Sequence, residues 1–212
     1  MMLPQLIKIN KKSKWRSGFL LFIISVAFLL PAAFAPPAPG ERARPEKWAL
    51  PINEKGLPNF HKVSRHLYRG AQPEKEGIPI LKKMGIKTIV NLRNFHSDLD
   101  EIGDVTIGYE RIPMNAWSLN EADVIAFLKI VTDKSKTPVF VHCLHGADRT
   151  GMMNAVYRMA VQGWSKEEAL KEMVEGGYGY HEIWKNIPRF LDKLDIETIR
   201  EKAGISKSAA AD

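Results

Sequence analysis

Apolar and polar positions change rhythm in blocks between residues 58 and 199. Lys62–Arg69 reads as a strand. Pro73–Met84 reads as a helix that stops at Gly85. Thr88-Ile89-Val90-Asn91-Leu92 is a short buried strand, and Val105–Pro113 contains another. Ser118-Leu119-Asn120-Glu121 has the form of a capping box opening a helix through about Thr132. Val139-Phe140-Val141 is a central strand. A helix over Thr150–Gln162 ends at Gly163. A second capping box, Ser165-Lys166-Glu167-Glu168, opens a helix that runs to Gly176, and His181–Leu194 is the last one. Strand and helix alternating in a stretch of this size predict an α/β fold, a three-layer sandwich whose central, mostly parallel sheet is flanked by helices.

The two ends of the chain read differently. Lys8, Lys11, Lys12, Lys14 and Arg16 precede an uncharged run from Ser17 to Gly40, densest over Gly18–Leu30. A positive flank, an apolar stretch and then small residues is the order of a secretory signal, and Ala33-Phe34-Ala35 fits its cleavage site. Pro36 stands where the cut would fall, so an uncleaved membrane anchor is the rival reading of residues 1–35. Either way the positive flank predicts a cytoplasmic N-terminus, with the rest of the chain exported, periplasmic or anchored on the extracytoplasmic side. Residues 36–57, rich in Pro, Ala and charge, read as a linker. Residues 200–212 read as a frayed, flexible tail.

Composition adds a limit. Of 212 residues, 45% are hydrophobic and 26% charged, which are globular values. The net charge is +7, but five of those charges lie in the first sixteen residues, ahead of a nearly neutral domain. That distribution excludes nucleic acid as the expected partner. The single cysteine, Cys143, excludes an internal disulfide and is either a buried small apolar residue or a chemical one.

Its neighbours decide. The stretch Val139-Phe140-Val141-His142-Cys143-Leu144-His145-Gly146-Ala147-Asp148-Arg149-Thr150-Gly151 passes straight from a buried strand into a helix. Unpaired N–H groups and a positive dipole end gather at such a junction, and a tight loop of successive N–H groups makes an anion nest. Leu144, His145, Gly146, Ala147, Asp148 and Arg149 would ring a phosphate, with Gly146 turning the backbone where a side chain could not. Arg149, six positions after Cys143, is placed to return its guanidinium to the same anion as a bidentate clamp. Dipole, nest and guanidinium together favour the thiolate of Cys143, the nucleophilic form. Thr150 can donate its hydroxyl to the sulfur, His142 orders the loop, and His145 can add charge over a polyanionic substrate when protonated.

His142–Gly151 resembles the signature loop of the protein tyrosine and dual-specificity phosphatases. The resemblance covers most of residues 60–195. Leu67-Tyr68-Arg69-Gly70-Ala71-Gln72-Pro73 and Ile86–Arg93 resemble the opening of small bacterial and atypical dual-specificity members. It implies a two-step hydrolysis through a phosphocysteine, without metal or organic cofactor, and a chain expected to act as a monomer.

One family feature is missing. Most members carry a general-acid Asp on a separate loop well before the cysteine, worth about 10²–10⁴-fold in rate. The matching stretch here, Ile112-Pro113-Met114-Asn115-Ala116-Trp117-Ser118, has no carboxylate. Asp148, inside the loop and before Arg149, is the expected acid, as in myotubularins and certain secreted bacterial phosphatases that this Asp-Arg-Thr arrangement resembles; the rival reading is that it only pairs with a neighbouring group and shapes the loop. Asp98, Asp100 and Asp104, on the acidic loop after Arg93, are the outsiders, read as a solvated face, with a loop folded over the site as the alternative. Arg93 is expected on the active-site edge, touching substrate or in a surface ion pair, and Trp117 as a pocket wall. Gly176–His181 reads as a turn or a rim contact. The expected substrate is a phosphorylated protein, lipid or inositol phosphate, with the in-loop Asp and the N-terminal segment tilting slightly to the last two. A phosphate-binding pseudophosphatase and a thiol redox or sulfur-transfer enzyme are the alternatives.

Overall fold

A computed structural model describes residues 44–206, and within it side chains alternate across a six-stranded sheet. The strands are β1 (Leu50–Pro51), β2 (His61–Lys62), β3 (Leu67–Gly70), β4 (Thr88–Arg93), β5 (Gly108–Met114) and β6 (Val139–His142), in the order β1-β2-β3-β6-β4-β5. β3, β6, β4 and β5 run parallel, while β1 and β2 add an antiparallel edge. The expected mostly parallel sheet is present.

Period-two alternation explains the layers. Leu67, Val90, Leu92, Val139 and Val141 face one apolar core, whereas Tyr68, Ile89 and Phe140 face another. The second core is closed by α1 (Gly77–Lys83) and α2 (Leu99–Ile102), through Ile78, Leu81 and Ile102. The first is closed by α3 (Glu121–Thr132), α4 (Asp148–Ala160), α5 (Lys166–Glu175), α6 (Asn186–Lys193) and α7 (Ile196–Ala203). Every residue of α4 except Arg149 is buried. This helix is held from all sides, so its N-terminus is a fixed point.

Several boundaries differ from expectation. Lys62–Arg69 is two strands, because Ser64 turns the chain and its Oγ accepts from the N–H groups of His66 and Leu67. α3 is capped by Asn120, whose side chain accepts from the Asp123 N–H, while Ser118 instead bridges back to Asn115. Ser165 does form the expected capping box with Glu168. α4 begins at Asp148, two residues before Thr150. The last segment is two helices, α6 and α7, and it starts at Asn186 rather than His181.

The linker and tail also need correction. Residues 44–206 belong to one compact unit. Trp48, Ala49 and Leu57 are buried, and Arg44 donates to the carbonyls of Ala49 and Gly176. Pro and charge suggest a solvated tether, but three apolar side chains here find a core. The tail keeps its order through α7, because Ala203 and Ile205 are buried and Gly204 takes the left-handed cap at φ 75°. The signal or anchor segment 1–35, linker residues 36–43 and tail residues 207–212 lie outside the described residues. Among the described residues no helix is long and apolar enough to cross a membrane.

Candidate active site

Four strand ends meet at one place. Gly70 pairs with His142, Asn91 pairs with His142, and Arg93 pairs with Met114, so the carboxyl ends of β3, β6, β4 and β5 are level. Crevices beyond such ends are where open α/β sheets take their ligands. Here the crevice is a cavity of about 470 Å³. Its lining includes Arg149, Asp148, His145 and Leu144 from the loop, with Arg93, Asn115, Trp117 and His181 around them.

The loop after β6 is built as the sequence implies. Cys143 is buried and free at its start. Gly146 has φ +70°, and a Cβ there would stand 2.5 Å from the backbone of Gly70. Only glycine fits, which fixes the loop against the end of β3. Leu144 and His145 are exposed, and Ala147 is buried at the N-cap of α4. The first turn of that helix then presents Asp148, Arg149 and Thr150. N–H groups of a first turn have no partner within their own helix. Arg149 Nη1 donates to the carbonyls of Leu92 and Met114, at the ends of β4 and β5. Thr150 Oγ1 is buried without a hydrogen-bond partner among the described residues. The expected bond from Thr150 to the Cys143 sulfur is therefore not formed here.

Two buried charges support the loop from below, and sequence reasoning gave neither its place. Arg69, fully enclosed on β3, donates from Nη2 to the carbonyl of Gly146 at 2.7 Å and lies over the Tyr178 ring. Burial lowers it to about 10, which leaves it charged at neutral pH. Asp98 was expected on a solvated face and is instead completely buried. Its Oδ1 accepts from Gln72 and Asn91, and its Oδ2 lies 2.6 Å from His142 Nε2. Burial alone would raise this carboxyl, but the hydrogen bond and charge of His142, with Gln72, hold it below its ordinary value. His142 Nδ1 faces the Cys143 carbonyl at 3.2 Å. Asp100 and Asp104 are exposed, as expected.

Asp148 lies at the cavity wall and is mostly enclosed. Its Oδ1 accepts from the backbone N–H of His181 and its Oδ2 lies 2.9 Å from His181 Nδ1. The glycine-rich segment before His181 thus serves as both turn and rim. Tyr178 is buried beneath the loop, and His181 reaches the cavity. Arg93 points into the cavity and donates to Gln72 Oε1. Asn115 lines the wall. Phe95, Ile183 and Trp117 line the mouth with 90%, 80% and 67% of their surfaces exposed. The cavity offers a guanidinium, a carboxylate and an apolar collar, with the Cys143 thiol buried at the start of the loop that lines it, and together these suit transfer of a phosphoryl group.

Comparison with known proteins points the same way. A family model described as a DSP-PTPase phosphatase fused to NAD+ kinase matches residues 52–183. The dual specificity protein phosphatase TpbA of Pseudomonas aeruginosa is 32% identical over 145 residues, covering 67% of this chain. The match spans 65% of the length of that relative. A crystal structure of P. aeruginosa TpbA in complex with pTyr is 28% identical, with TM-score 0.69 over 77% of this chain and 99% of that one. The core catalytic domain of the PP-IP phosphatase SIW14 from S. cerevisiae, in complex with citrate, shares the fold at 22% identity, with TM-score 0.62 over 70% and 93% of the two chains.

Proposed function

This chain belongs to the dual-specificity phosphatase family, and on that premise we propose that it hydrolyses phosphate monoesters through Cys143. In the first step the Cys143 thiolate attacks phosphorus, and the bond from phosphorus to the leaving oxygen breaks. Asp148 gives that oxygen its proton. In the second step a water attacks the phosphocysteine, and the Asp148 carboxylate takes the water's proton. The S–P bond breaks, phosphate leaves, and the thiolate is restored. Arg149 and the N–H groups of the loop hold the equatorial oxygens, where charge is spread in the transition state. Thr150 turns its unpaired hydroxyl to the sulfur as it leaves.

The observation that carries this reading is the join of β6 to α4. It carries Cys143 at the start of the loop and Asp148 and Arg149 in the first turn of the helix that the loop opens, and the bend at Gly146 is locked against Gly70. The buried cation Arg69 beneath that bend supports anion binding from the other side.

For the substrate, the apolar collar favours an aryl phosphate such as phosphotyrosine over a bare polyanion. Phe95, Trp117 and Ile183 offer faces to a ring, and among the described residues that line the cavity Arg93 is the one permanent cation besides Arg149. The pTyr bound in the TpbA crystal structure supports the same choice. The basic, apolar and small-residue order of the N-terminal segment supports action outside the cytoplasm.

Hydrolysis of para-nitrophenyl phosphate tests the activity. Vanadate-sensitive turnover that is absent from Cys143→Ser is the expected result. Phosphate binding without turnover of any phosphoester would favour a pseudophosphatase. A panel of phosphotyrosyl peptides, phosphoinositides and inositol phosphates, compared by kcat/KM, tests the substrate.

A further inference from the structure

The cavity mouth carries a donor group larger than hydrolysis requires. His145 comes from the signature loop, Asp148 from the first turn of α4, and His181 from the segment between α5 and α6. One ligand atom from each lies within 4.8 Å of the other two. Two imidazoles and a carboxylate are a donor set suited to zinc and its neighbours among the divalent transition metals.

The spacing is close to what a metal needs. Asp148 Oδ2 and His181 Nδ1 are 2.9 Å apart. Two ligands of a tetrahedral zinc, each bonded at about 2.0–2.1 Å, stand about 3.3 Å apart. Replacing the shared proton by a cation therefore asks for a few tenths of an ångström. The His145 and His181 rings are 5.4 Å apart and tilted, and both are exposed, so either can turn without disturbing the core. Asp148 is already fixed, because its other oxygen accepts from the His181 backbone N–H at 2.9 Å. The fourth position would face the cavity and be open to water or a phosphate oxygen. A second group, His96, Asp98 and Glu101, is less suited, since Asp98 is committed to Gln72, Asn91 and His142.

We propose that His145, Asp148 and His181 form a site for a divalent transition-metal cation, zinc foremost, at the mouth of the cavity, and that its occupation turns hydrolysis off. The cation takes the carboxylate of Asp148 and stands where the leaving group must pass. The inhibitory effect rests on the function proposed above, whereas the binding does not.

Full-length Cys143→Ser removes the thiolate as a competing zinc ligand and is the protein to titrate. Zinc would be titrated against a colorimetric chelator, and cobalt(II) followed by its visible spectrum. The proposal expects one equivalent bound, a tetrahedral cobalt spectrum, and at least tenfold weaker binding when His145→Ala or His181→Ala is added. Affinity unchanged in both added variants, or no stoichiometric binding, overturns the site. Thermal melts and vanadate binding of each variant separate loss of a ligand from loss of the fold. In a second arm, zinc should inhibit the wild type reversibly on chelation, at the concentration that fills the site. Full occupancy with undiminished turnover overturns the inhibition. A protein with no turnover on any phosphoester would fail the proposed function while the cobalt titration still decided the site.

Discussion

Asp98 and His142, 44 residues apart in sequence, share a 2.6 Å hydrogen bond in which no part of either side chain reaches solvent. The bond fixes the imidazole directly behind Cys143. A hydrogen bond to a charged group contributes about 1.5–3 kcal/mol. If that is expressed in the transition state, Asp98→Asn lowers kcat/KM by about 10- to 100-fold. The ¹⁵N resonances of His142 should change with it, because Asn can no longer accept as a carboxylate does. Unchanged kinetics would mean that Asp98 serves packing alone.

Asp148→Asn tests the acid. The loss should reach about 10²–10⁴-fold on an alkyl phosphate, whose leaving oxygen needs a proton. It should be far smaller on a nitrophenyl ester, whose leaving group departs unprotonated. Asp104→Asn, on the exposed turn between α2 and β5, should match the wild type on both.

Gly146→Ala should abolish turnover and vanadate binding together. A Cβ there meets the Gly70 carbonyl at 2.5 Å, and φ +70° is strained for any side chain. The thermal melt should fall only modestly, since the clash is confined to the loop.

The buried pair of Glu172 and Arg158 governs stability. Glu172 also accepts from the Ala49 N–H and the Tyr178 hydroxyl. Burial alone would raise the Glu172 carboxyl, but Arg158 outweighs it and lowers it overall. Removing one partner of such a pair costs about 3–5 kcal/mol. Glu172→Gln should show that loss in urea melts. The pair's contribution is complete above the unfolded value of about 4.3 and fades as pH falls through the lower folded value.

His61 predicts a second pH effect. Burial lowers it to about 4 from 6.5, so the folded state holds it neutral. Below 6.5 the unfolded chain binds the proton first, and stability falls as pH drops towards 4. The slope is at most about 1.4 kcal/mol per pH unit. His61→Gln should remove that slope from melts taken between those pH values.

The contrast between Cys143 and Asp98 shows what a sequence discloses. Cys143, Gly146, Asp148 and Arg149 lie in one continuous stretch that runs from the end of β6 into the first turn of α4, so local chemistry is enough to group them. Asp98 sits on a loop without periodicity, among other acids that are exposed. Its burial comes from Gln72, Asn91 and His142, brought together only by the sheet order. Arg69 was hidden for a related reason, since a charged residue on a short strand gives no sign of being enclosed. The linker misled because Pro and charge outweigh Ala49, which joins the core that includes Ala169 and Met173 of α5.

The central claim is a covalent bond to one sulfur. Turnover of a phosphorylated substrate, quenched in acid within a single cycle and digested for mass spectrometry, measures it directly. Phosphate carried on Cys143, and absent from Cys143→Ser, is the result expected here. Undiminished turnover by Cys143→Ser, or phosphate carried on another residue, would contradict it.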